Sequence, residues 1–371
     1  MIHLLFRKRT IYLKTILHKR NVCNLLSVLL LLLFISVSCA DSKDVVNSNS
    51  HSISNSIYYW KTNFILTDYD QSFLKEHDIH RMYIKFFDVD DDAPSPYAEA
   101  KRILPVATTV FSSPKPADVE IIPTVYLTLR AITFMGQSED GVQDAASKIV
   151  TRVLNMADFN DMGPIHEVQL DCDWTETTQN TYYALCNAIG NMLHDKGIAL
   201  SSTIRLHQLR TDVPPVDRGV LMLYNTGNLQ KASVKNSIIS AHDVALYLKD
   251  KHIKYNLPLD FAYPTYSWGL VFWGDYFDGI LHQSDFSDTE LYEYQPDGYY
   301  KVKTYHQTDG QSLYPSHRIR LETSPIDTVL AVKEMVKSAF PDVPHSNIIY
   351  HLDSLNLSKY TTDEIKSIYN N

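Results

Sequence analysis

The sequence predicts an α/β fold, a (β/α)8 TIM barrel, on three observations. From Ile57 onward, apolar runs typical of buried strands alternate with segments of helical spacing. Eight such strands, alternating with helices, are spread over residues 57–371 of the 371-residue chain. An alternation of this length favours a closed parallel barrel. No glycine-rich phosphate loop follows the first strand, which disfavours a doubly wound sheet. In a TIM barrel, functional side chains follow the carboxyl ends of the strands.

The segment before the barrel is predicted to direct export. Residues 1–38 combine six basic and no acidic residues with an apolar run at 25–37, which predicts a signal peptide. The small residue before Cys39 resembles the bacterial lipoprotein signal and implies a lipid anchor on Cys39; an uncleaved membrane anchor is the alternative. Residues 39–56 are polar and predicted to be a flexible tether. We therefore expect a lipid-anchored protein of the cell envelope, on the outer membrane.

Composition narrows the possible ligands. The chain carries 34 basic and 43 acidic residues, and this acidic balance disfavours nucleic acid as a partner. Outside the leader and the proposed anchor, the cysteines are Cys172 and Cys186, on a predicted strand and a predicted helix, and we expect buried free thiols. No Cys/His cluster has structural-zinc spacing, so neither a metal nor a cofactor is predicted. The 24 tyrosines and 4 tryptophans suit surfaces that stack on sugar rings.

The elements follow from apolar spacing and capping signals. Strands are predicted at 57–66, 81–90, 119–129, 168–174, 198–206, 218–224, 259–266 and 347–352. Helices are predicted at 70–77, 141–156, 177–196, 242–251 and 361–369, with Gly197 closing the third. The secondary structure of residues 94–117 is ambiguous from the sequence. A further helix begins after Ser324 as N-cap, with Pro325 at its first position.

An inserted β-hairpin is predicted after strand seven, at about residues 285–322. The sequence Pro296-Asp297-Gly298 lies between two tyrosine-rich alternating runs, which is a hairpin signal.

The candidate site centres on the end of the fourth strand. Asp171 and Asp173 are two residues apart, so their side chains point to the same face. Two close carboxylates push their pKa values apart, which acid/base chemistry exploits. The alternatives are a solvated strand end or a helix cap. The other strand ends bring together predicted substrate-binding residues, a mixture that suits carbohydrate: Trp60, Arg205, Tyr224, Asn225, Tyr266 and Trp268.

Two short motifs resemble family 18 glycoside hydrolases, the chitinase class. The sequence L-D-C-D-W at 170–174 looks like the family's fourth-strand D-G-x-D-x-D-W-E, and M-L-Y-N at 222–225 resembles its sixth-strand Met-x-Tyr-Asp. When Asp171, Asp173 and Trp174 are aligned with the last two aspartates and the tryptophan of the family motif, the family's catalytic Glu falls on Thr175. Glu176 lies one residue after that position. The chain as a whole also resembles uncharacterised lipoproteins of Bacteroides-like bacteria with a predicted barrel.

This resemblance implies a glycoside hydrolase-like protein whose acid is displaced. We predict Asp173 as the acid/base residue, Asp171 as its electrostatic partner and Glu176 as a reserve acid, which a bulge could swing inward. Position 175 holds Thr175 where the family has its acid Glu. This favours the alternative, a non-catalytic glycan-binding lipoprotein on a degenerate hydrolase barrel. A structural or adhesive surface protein is the third possibility, and it predicts a filled barrel mouth.

Overall fold

The computed structural model describes residues 53–91, 102–138, 140–248, 253–282, 285–341 and 343–370. The predicted signal peptide, the proposed anchor Cys39 and most of the predicted tether lie outside these residues. None of the described helices is both long and apolar enough to cross a bilayer.

The strands of the described chain are short and numerous. In chain order they are β1 (Asn55–Tyr59), β2 (Asn63–Phe64), β3 (Ile79–Asp91), β4 (Ile103–Val106), β5 (Val110–Phe111), β6 (Glu120–Leu127), β7 (Glu167–Cys172), β8 (Ala199–Arg205), β9 (Arg218–Met222), β10 (Leu259–Pro264), β11 (Trp268–Trp273), β12 (Tyr276–Leu281), β13 (Tyr292–Tyr294), β14 (Tyr299–Val302), β15 (His306–Thr308), β16 (Gln311–Leu313), β17 (His317–Glu322) and β18 (Asn347–Tyr350).

Eight of these strands close into a parallel barrel, which confirms the predicted fold class. Around the barrel they run β1, β3, β6, β7, β8, β9, β10 and β18, and β18 pairs with β1 to close the ring. Each corresponds to one predicted strand, but most end two residues or more before the predicted end. Side chains predicted at strand ends, such as Asp173, Asn225 and Tyr266, therefore lie in the loops just beyond.

The helices surround the barrel and bury one face each. They are α1 (Asp68–Glu76), α2 (Leu129–Met135), α3 (Gly141–Phe159), α4 (Gln179–His194), α5 (Ala241–Leu248), α6 (Ile326–Ala339), α7 (Ser354–Leu357) and α8 (Thr362–Tyr369). The buried face of α4 includes Tyr182, Cys186 and Ile189, at the spacing of an amphipathic helix. Gly197, at φ 73°, follows α4 as predicted. Cys172 and Cys186 are buried free thiols, also as predicted.

The prediction for the start of α6 was wrong by one residue. Pro325 is the N-cap rather than the first helical residue, and Ser324 does not cap the helix. The Ser324 hydroxyl instead donates to the Tyr266 carbonyl oxygen at 2.8 Å. Ser324 therefore ties the end of the inserted segment to the loop after β10.

The insertion is larger than the predicted hairpin. A five-stranded antiparallel sheet runs in the order β12, β11, β17, β14, β13, and it begins at Trp268 rather than near residue 285. The predicted hairpin is confirmed as β13–β14, with Gly298 at φ 88° in its turn. The prediction missed β11 and β12 because their sequence follows strand seven directly. We call residues 268–322 the inserted sheet.

Buried charges line the barrel where its strands begin. Arg81 donates to Glu167 at 2.7 Å and to Glu120 at 2.9 Å, and Arg218 lies 3.4 Å from Asp260. Glu120, Glu167 and Arg218 are the first residues of their strands. These ion pairs tie several barrel strands together at the end opposite the mouth. Burial works against the charged form of Arg81, yet Tyr83, Glu167 and Glu120 together raise its pKa.

Candidate functional site

A cleft of about 920 Å³ opens at the mouth of the barrel. Its walls are the loops after β1, β9, β10 and β18 together with part of the inserted sheet, and we call it the mouth cleft. Its lining residues are Trp60, Lys61, Thr62, Asn225, Tyr266, Ser267, Trp268, His282, Asp285, Asp309, Tyr350, His351, Asp353, Leu355, Asn356 and Lys359. A second, more apolar hollow of about 990 Å³ lies against α3, away from these strand ends. The mouth cleft is the candidate site, because it lies at the carboxyl ends of the barrel strands, where TIM barrels carry their functional side chains.

A continuous row of aromatic rings forms one wall of the cleft. The Tyr350 ring centre lies 5.9 Å from that of Trp60 and 5.6 Å from that of Tyr266, and Tyr266 lies 5.2 Å from Trp268. Below them, the buried ring of Tyr224 stacks on Tyr350 at 4.6 Å. Sequence reasoning missed Tyr350 as a site residue, because the predicted eighth strand continues to residue 352, whereas β18 ends at Tyr350.

The orientation of Trp268 is fixed from the inserted sheet. The indole nitrogen of Trp268 donates to Glu322 at 2.7 Å. Glu322 is fully buried, and it also accepts hydrogen bonds from Arg320 at 2.8 Å and from Ser237 at 2.5 Å. With its carboxylate oxygens engaged in this way, Glu322 serves as a support for Trp268.

An ion pair lies at the edge of the aromatic wall. The Lys61 ammonium group is 2.8 Å from the Asp353 carboxylate. Burial works to raise the pKa of Asp353, but the hydrogen bond and charge of Lys61 outweigh it, and the pKa lies below its ordinary value. Asp353 also caps α7 by accepting from the backbone of Asn356. This carboxylate is therefore held in its charged form.

Hydrogen-bonding groups complete the cleft. Lys359 donates to the Ser267 hydroxyl at 2.6 Å, and that hydroxyl donates to Asn356 at 2.8 Å. The Tyr266 hydroxyl donates to Asn225 at 2.7 Å. Asn225 has φ 55°, a backbone conformation that asparagine tolerates better than most residues. Lys359 and Asn356 come from the segment after β18, beyond the side chains that the sequence placed at strand ends.

Asp171, in β7, and Asp173, just after it, share one arginine. Arg205 donates to Asp173 through Nε in a short contact, and its Nη2 lies 3.4 Å from Asp171. Asp171 also accepts from the Thr203 hydroxyl at 2.6 Å. The same-face prediction for Asp171 and Asp173 agrees with this shared partner. Arg205 therefore binds the aspartates, and neither it nor they line the mouth cleft.

Burial and charge act in opposite directions on this group. Burial raises the pKa of Asp171, and the charge of Arg205 only partly opposes it. Burial alone would lower the pKa of Arg205, but Asp171 and Asp173 raise it. The Asp171 side chain is 4% exposed and that of Asp173 is 47% exposed, so only Asp173 is accessible to a ligand.

The turn after Asp173 is built from threonines. The Thr175 backbone N–H donates to the Thr178 hydroxyl at 2.9 Å, and the hydroxyls of Thr175 and Thr177 lie 3.0 Å apart. Glu176 is exposed in this turn and forms no hydrogen bond or ion pair with the other described residues. Trp174 is buried and stacks on Tyr182 at 4.8 Å, in the helical layer. The structure thus places Glu176 in solvent, outside the mouth cleft.

The predicted site residues divide into two groups. Trp60, Asn225, Tyr266 and Trp268 line the mouth cleft, with Tyr224 buried below them. Asp171, Asp173 and Arg205 form a neighbouring ionic group, and Glu176 joins neither. Among the described residues, no three His, Cys, Asp or Glu side chains are arranged to hold a metal ion.

His351 makes stability depend on pH. Burial lowers the pKa of His351 to about 4, and Lys61 and His282 add to this against the opposing effect of Asp353. The folded state therefore binds fewer protons than the unfolded chain between about pH 6.5 and 4, and stability falls as the pH drops through this window. Because His351 as a whole is partly exposed, we expect the wild type to lose about 1–2 kcal/mol more than His351→Gln between pH 7 and 4.5.

Urea unfolding at both pH values measures this difference. The contributions of the other histidines to the pH dependence cancel, because both proteins contain them. Equal losses in the two proteins would contradict the assignment.

Comparisons with known proteins return distant likenesses among solved structures. No family model matches the chain, and no curated protein matches it in sequence. A chitinase from Chromobacterium violaceum is 12% identical with a TM-score of 0.47, over 85% of this chain and 99% of that one. The spore cortex-lytic enzyme of Bacillus cereus is 10% identical with a TM-score of 0.48, over 86% and 74%. A chitinase-like agglutinin from Robinia pseudoacacia is 11% identical with a TM-score of 0.46, over 85% and 100%.

Proposed function

We propose that this protein recognises a carbohydrate in its mouth cleft. The observation that carries the proposal is the aromatic wall of Trp60, Tyr350, Tyr266 and Trp268 facing a cleft edged by hydrogen-bonding groups. A sugar ring has an apolar C–H face and a rim of hydroxyls, so it matches a site that pairs flat rings with donors and acceptors. The open cleft also argues against a purely structural surface protein.

Recognition is favoured over hydrolysis because the carboxylates near the barrel mouth are engaged in ion pairs. Asp171 and Asp173 are bound to Arg205, and Asp353 is bound to Lys61. Most glycoside hydrolases need a carboxylic acid within reach of the glycosidic oxygen, together with a second carboxylate. The position of the acid in the related motif is Thr175, whose hydroxyl takes part in the local turn. These arrangements support binding without cleavage.

Hydrolysis is the second candidate, and the half-exposed Asp173 favours it. In this alternative Asp173 is the acid/base residue and Asp171, whose pKa is raised by burial, is its electrostatic partner. Glu176 would act as the reserve acid after a movement of the threonine turn. Asp173→Asn should then abolish release of reducing sugar from a bound oligosaccharide while leaving its affinity within about threefold.

The proposal is tested by a glycan array followed by titration of the best oligosaccharide. Trp268→Ala is expected to weaken binding by about tenfold or more, because the removed ring supplies stacking area at one end of the wall. Trp60→Ala should have a similar effect. Phe159→Ala, which removes an exposed ring outside the cleft, is the matched control and should leave affinity unchanged.

Two results would count against recognition in the cleft. One is the absence of binding to every glycan on the array. The other is an affinity that stays the same in Trp60→Ala and Trp268→Ala. Product analysis after long incubation distinguishes the two candidates, since recognition alone leaves the oligosaccharide intact.

We further propose that the protein is an exported lipoprotein anchored through Cys39, on the strength of the basic and apolar leader. Labelling in a bacterial host with an alkyne fatty acid should mark the wild type and not Cys39→Ser. Equal labelling of both would exclude Cys39 as the anchor, and labelling of neither would favour an uncleaved leader.

A further inference from the structure

Exposed aromatic rings form a strip on the inserted sheet. Trp273 is 64% exposed, Tyr276 84%, Tyr305 55% and Tyr314 48%. We call these four residues the aromatic strip. None of them lines the mouth cleft, and none takes part in the site described above.

Strand pairing and ring contacts bring the four residues near one another, with the buried His317 between Trp273 and Tyr314, although they are separated in sequence. Trp273 faces Tyr276 across the β11–β12 pairing and His317 across the β11–β17 pairing. Side chains opposite each other in an antiparallel pair are in contact distance. The His317 ring lies 5.5 Å from that of Tyr314, and the Tyr314 ring lies 5.1 Å from that of Tyr305.

The residue types in the strip indicate the kind of ligand. In the described part of the inserted sheet, every large apolar side chain that is strongly exposed is Trp or Tyr; in the barrel, most are aliphatic. Trp and Tyr combine an apolar face with a polar group, which suits a ligand that is itself apolar on one face and hydroxylated at its edge. Tyr and Trp are also enriched in protein interfaces, so a second copy of the chain is the competing occupant, which light scattering distinguishes.

Charge argues for a neutral ligand. Residues 268–322 carry nine acidic and four basic residues. A surface with this balance repels nucleic acid, anionic lipid and polyanionic glycans. A neutral polysaccharide has no such penalty.

The strip and the mouth cleft are joined by one hairpin. Asp309, at the turn of the β15–β16 hairpin, lines the mouth cleft, while Tyr305 and Tyr314 flank the base of the same hairpin. Trp268 and Trp273 lie about 17 Å apart along β11 but face opposite sides of the sheet, because five residues separate them, so the route between the cleft and the strip runs along this hairpin. A chain longer than a few sugar units can therefore reach both surfaces.

We propose that the aromatic strip is a second binding surface for a neutral polysaccharide, whose chain also enters the mouth cleft. This inference rests on the proposed recognition of carbohydrate in that cleft. The strip retains the polymer, and the cleft selects a few of its units.

The test compares polymer and short oligosaccharide. The full-length chain is incubated with insoluble chitin, cellulose, β-1,3-glucan and mannan, and retention is measured together with affinity for soluble di- and trisaccharides of the same units. Trp273→Ala/Tyr276→Ala is expected to lower retention on the bound polymer about tenfold, with unchanged affinity for the short oligosaccharide. Trp60→Ala should show the reverse, with short-oligosaccharide affinity lost and most polymer retention kept.

Phe159→Ala is the matched control, since Phe159 is 88% exposed and lies on α3. Unchanged retention in the strip variant, an equal loss in Phe159→Ala, or no retention of the wild type on any polymer would each overturn the proposal. A change of oligomeric state in the strip variant, measured by light scattering, would overturn it in favour of self-association. Failure of the cleft proposal is distinguished by a different measurement: the wild type would then not bind the short oligosaccharides.

Discussion

Arg205→Met is expected to lower the free energy of unfolding by about 3–5 kcal/mol, because it leaves a buried carboxylate without its cation. Arg205 is the shared partner of Asp171 and Asp173, and Asp171 is almost fully buried. Without the guanidinium, the pKa of Asp171, already raised by burial, moves further up. A folded-state pKa above the unfolded value means that the folded state gains stability as the pH falls, so the deficit should shrink from pH 7 towards pH 4.

Denaturant unfolding of matched variants measures this effect. Arg205→Met/Asp171→Asn should recover much of the loss, since the amide can still accept the Thr203 hydrogen bond. Asp173→Asn alone should have a small effect, because half of that side chain is in solvent. A pH-independent deficit, or no recovery in the double variant, would contradict the shared ion pair.

Arg81→Met is the second change with a large expected effect, again about 3–5 kcal/mol of unfolding free energy. Arg81 bridges Glu120 and Glu167, which begin neighbouring barrel strands, and the Glu167 side chain is 6% exposed. Its removal leaves Glu167 charged in a buried position. Glycan binding per folded molecule should not change, because these residues lie at the opposite end of the barrel from the mouth.

Urea unfolding of three variants checks this prediction. Arg81→Met/Glu167→Gln should be more stable than Arg81→Met, and Lys148→Met, which breaks an exposed pair with Asp144, should hardly change stability. If Lys148→Met were as destabilising as Arg81→Met, burial would not be the cause.

Local sequence pattern predicted the barrel because each of its strands is a short apolar run between amphipathic helices. The same pattern located Trp60, Asn225 and Tyr266 at the mouth, since a TIM barrel places strand ends on one face. The two free thiols, Cys172 and Cys186, followed from their positions in a strand and a helix.

Long-range pairing could not be predicted in this way. Arg205 meets Asp173 only because β7 and β8 adopt a particular register, and no local signal specifies that register. The buried support of Trp268 by Glu322 bridges 54 residues of sequence. The prediction of Glu176 as a reserve acid requires a bulge that turns its side chain inward, whereas the threonine turn leaves it in solvent.

The most direct test of the central claim is a crystal structure with the best oligosaccharide from the glycan array. Recognition in the mouth cleft predicts a sugar ring against Trp60 or Trp268, with hydroxyls bonded to groups such as Asp353 or Asn356. It also predicts an intact ligand whose glycosidic oxygens lie beyond hydrogen-bond reach of Asp173 and Glu176. A sugar bound elsewhere on the barrel would contradict the claim, and a cleaved ligand with Asp173 or Glu176 at the scissile oxygen would establish the hydrolase instead.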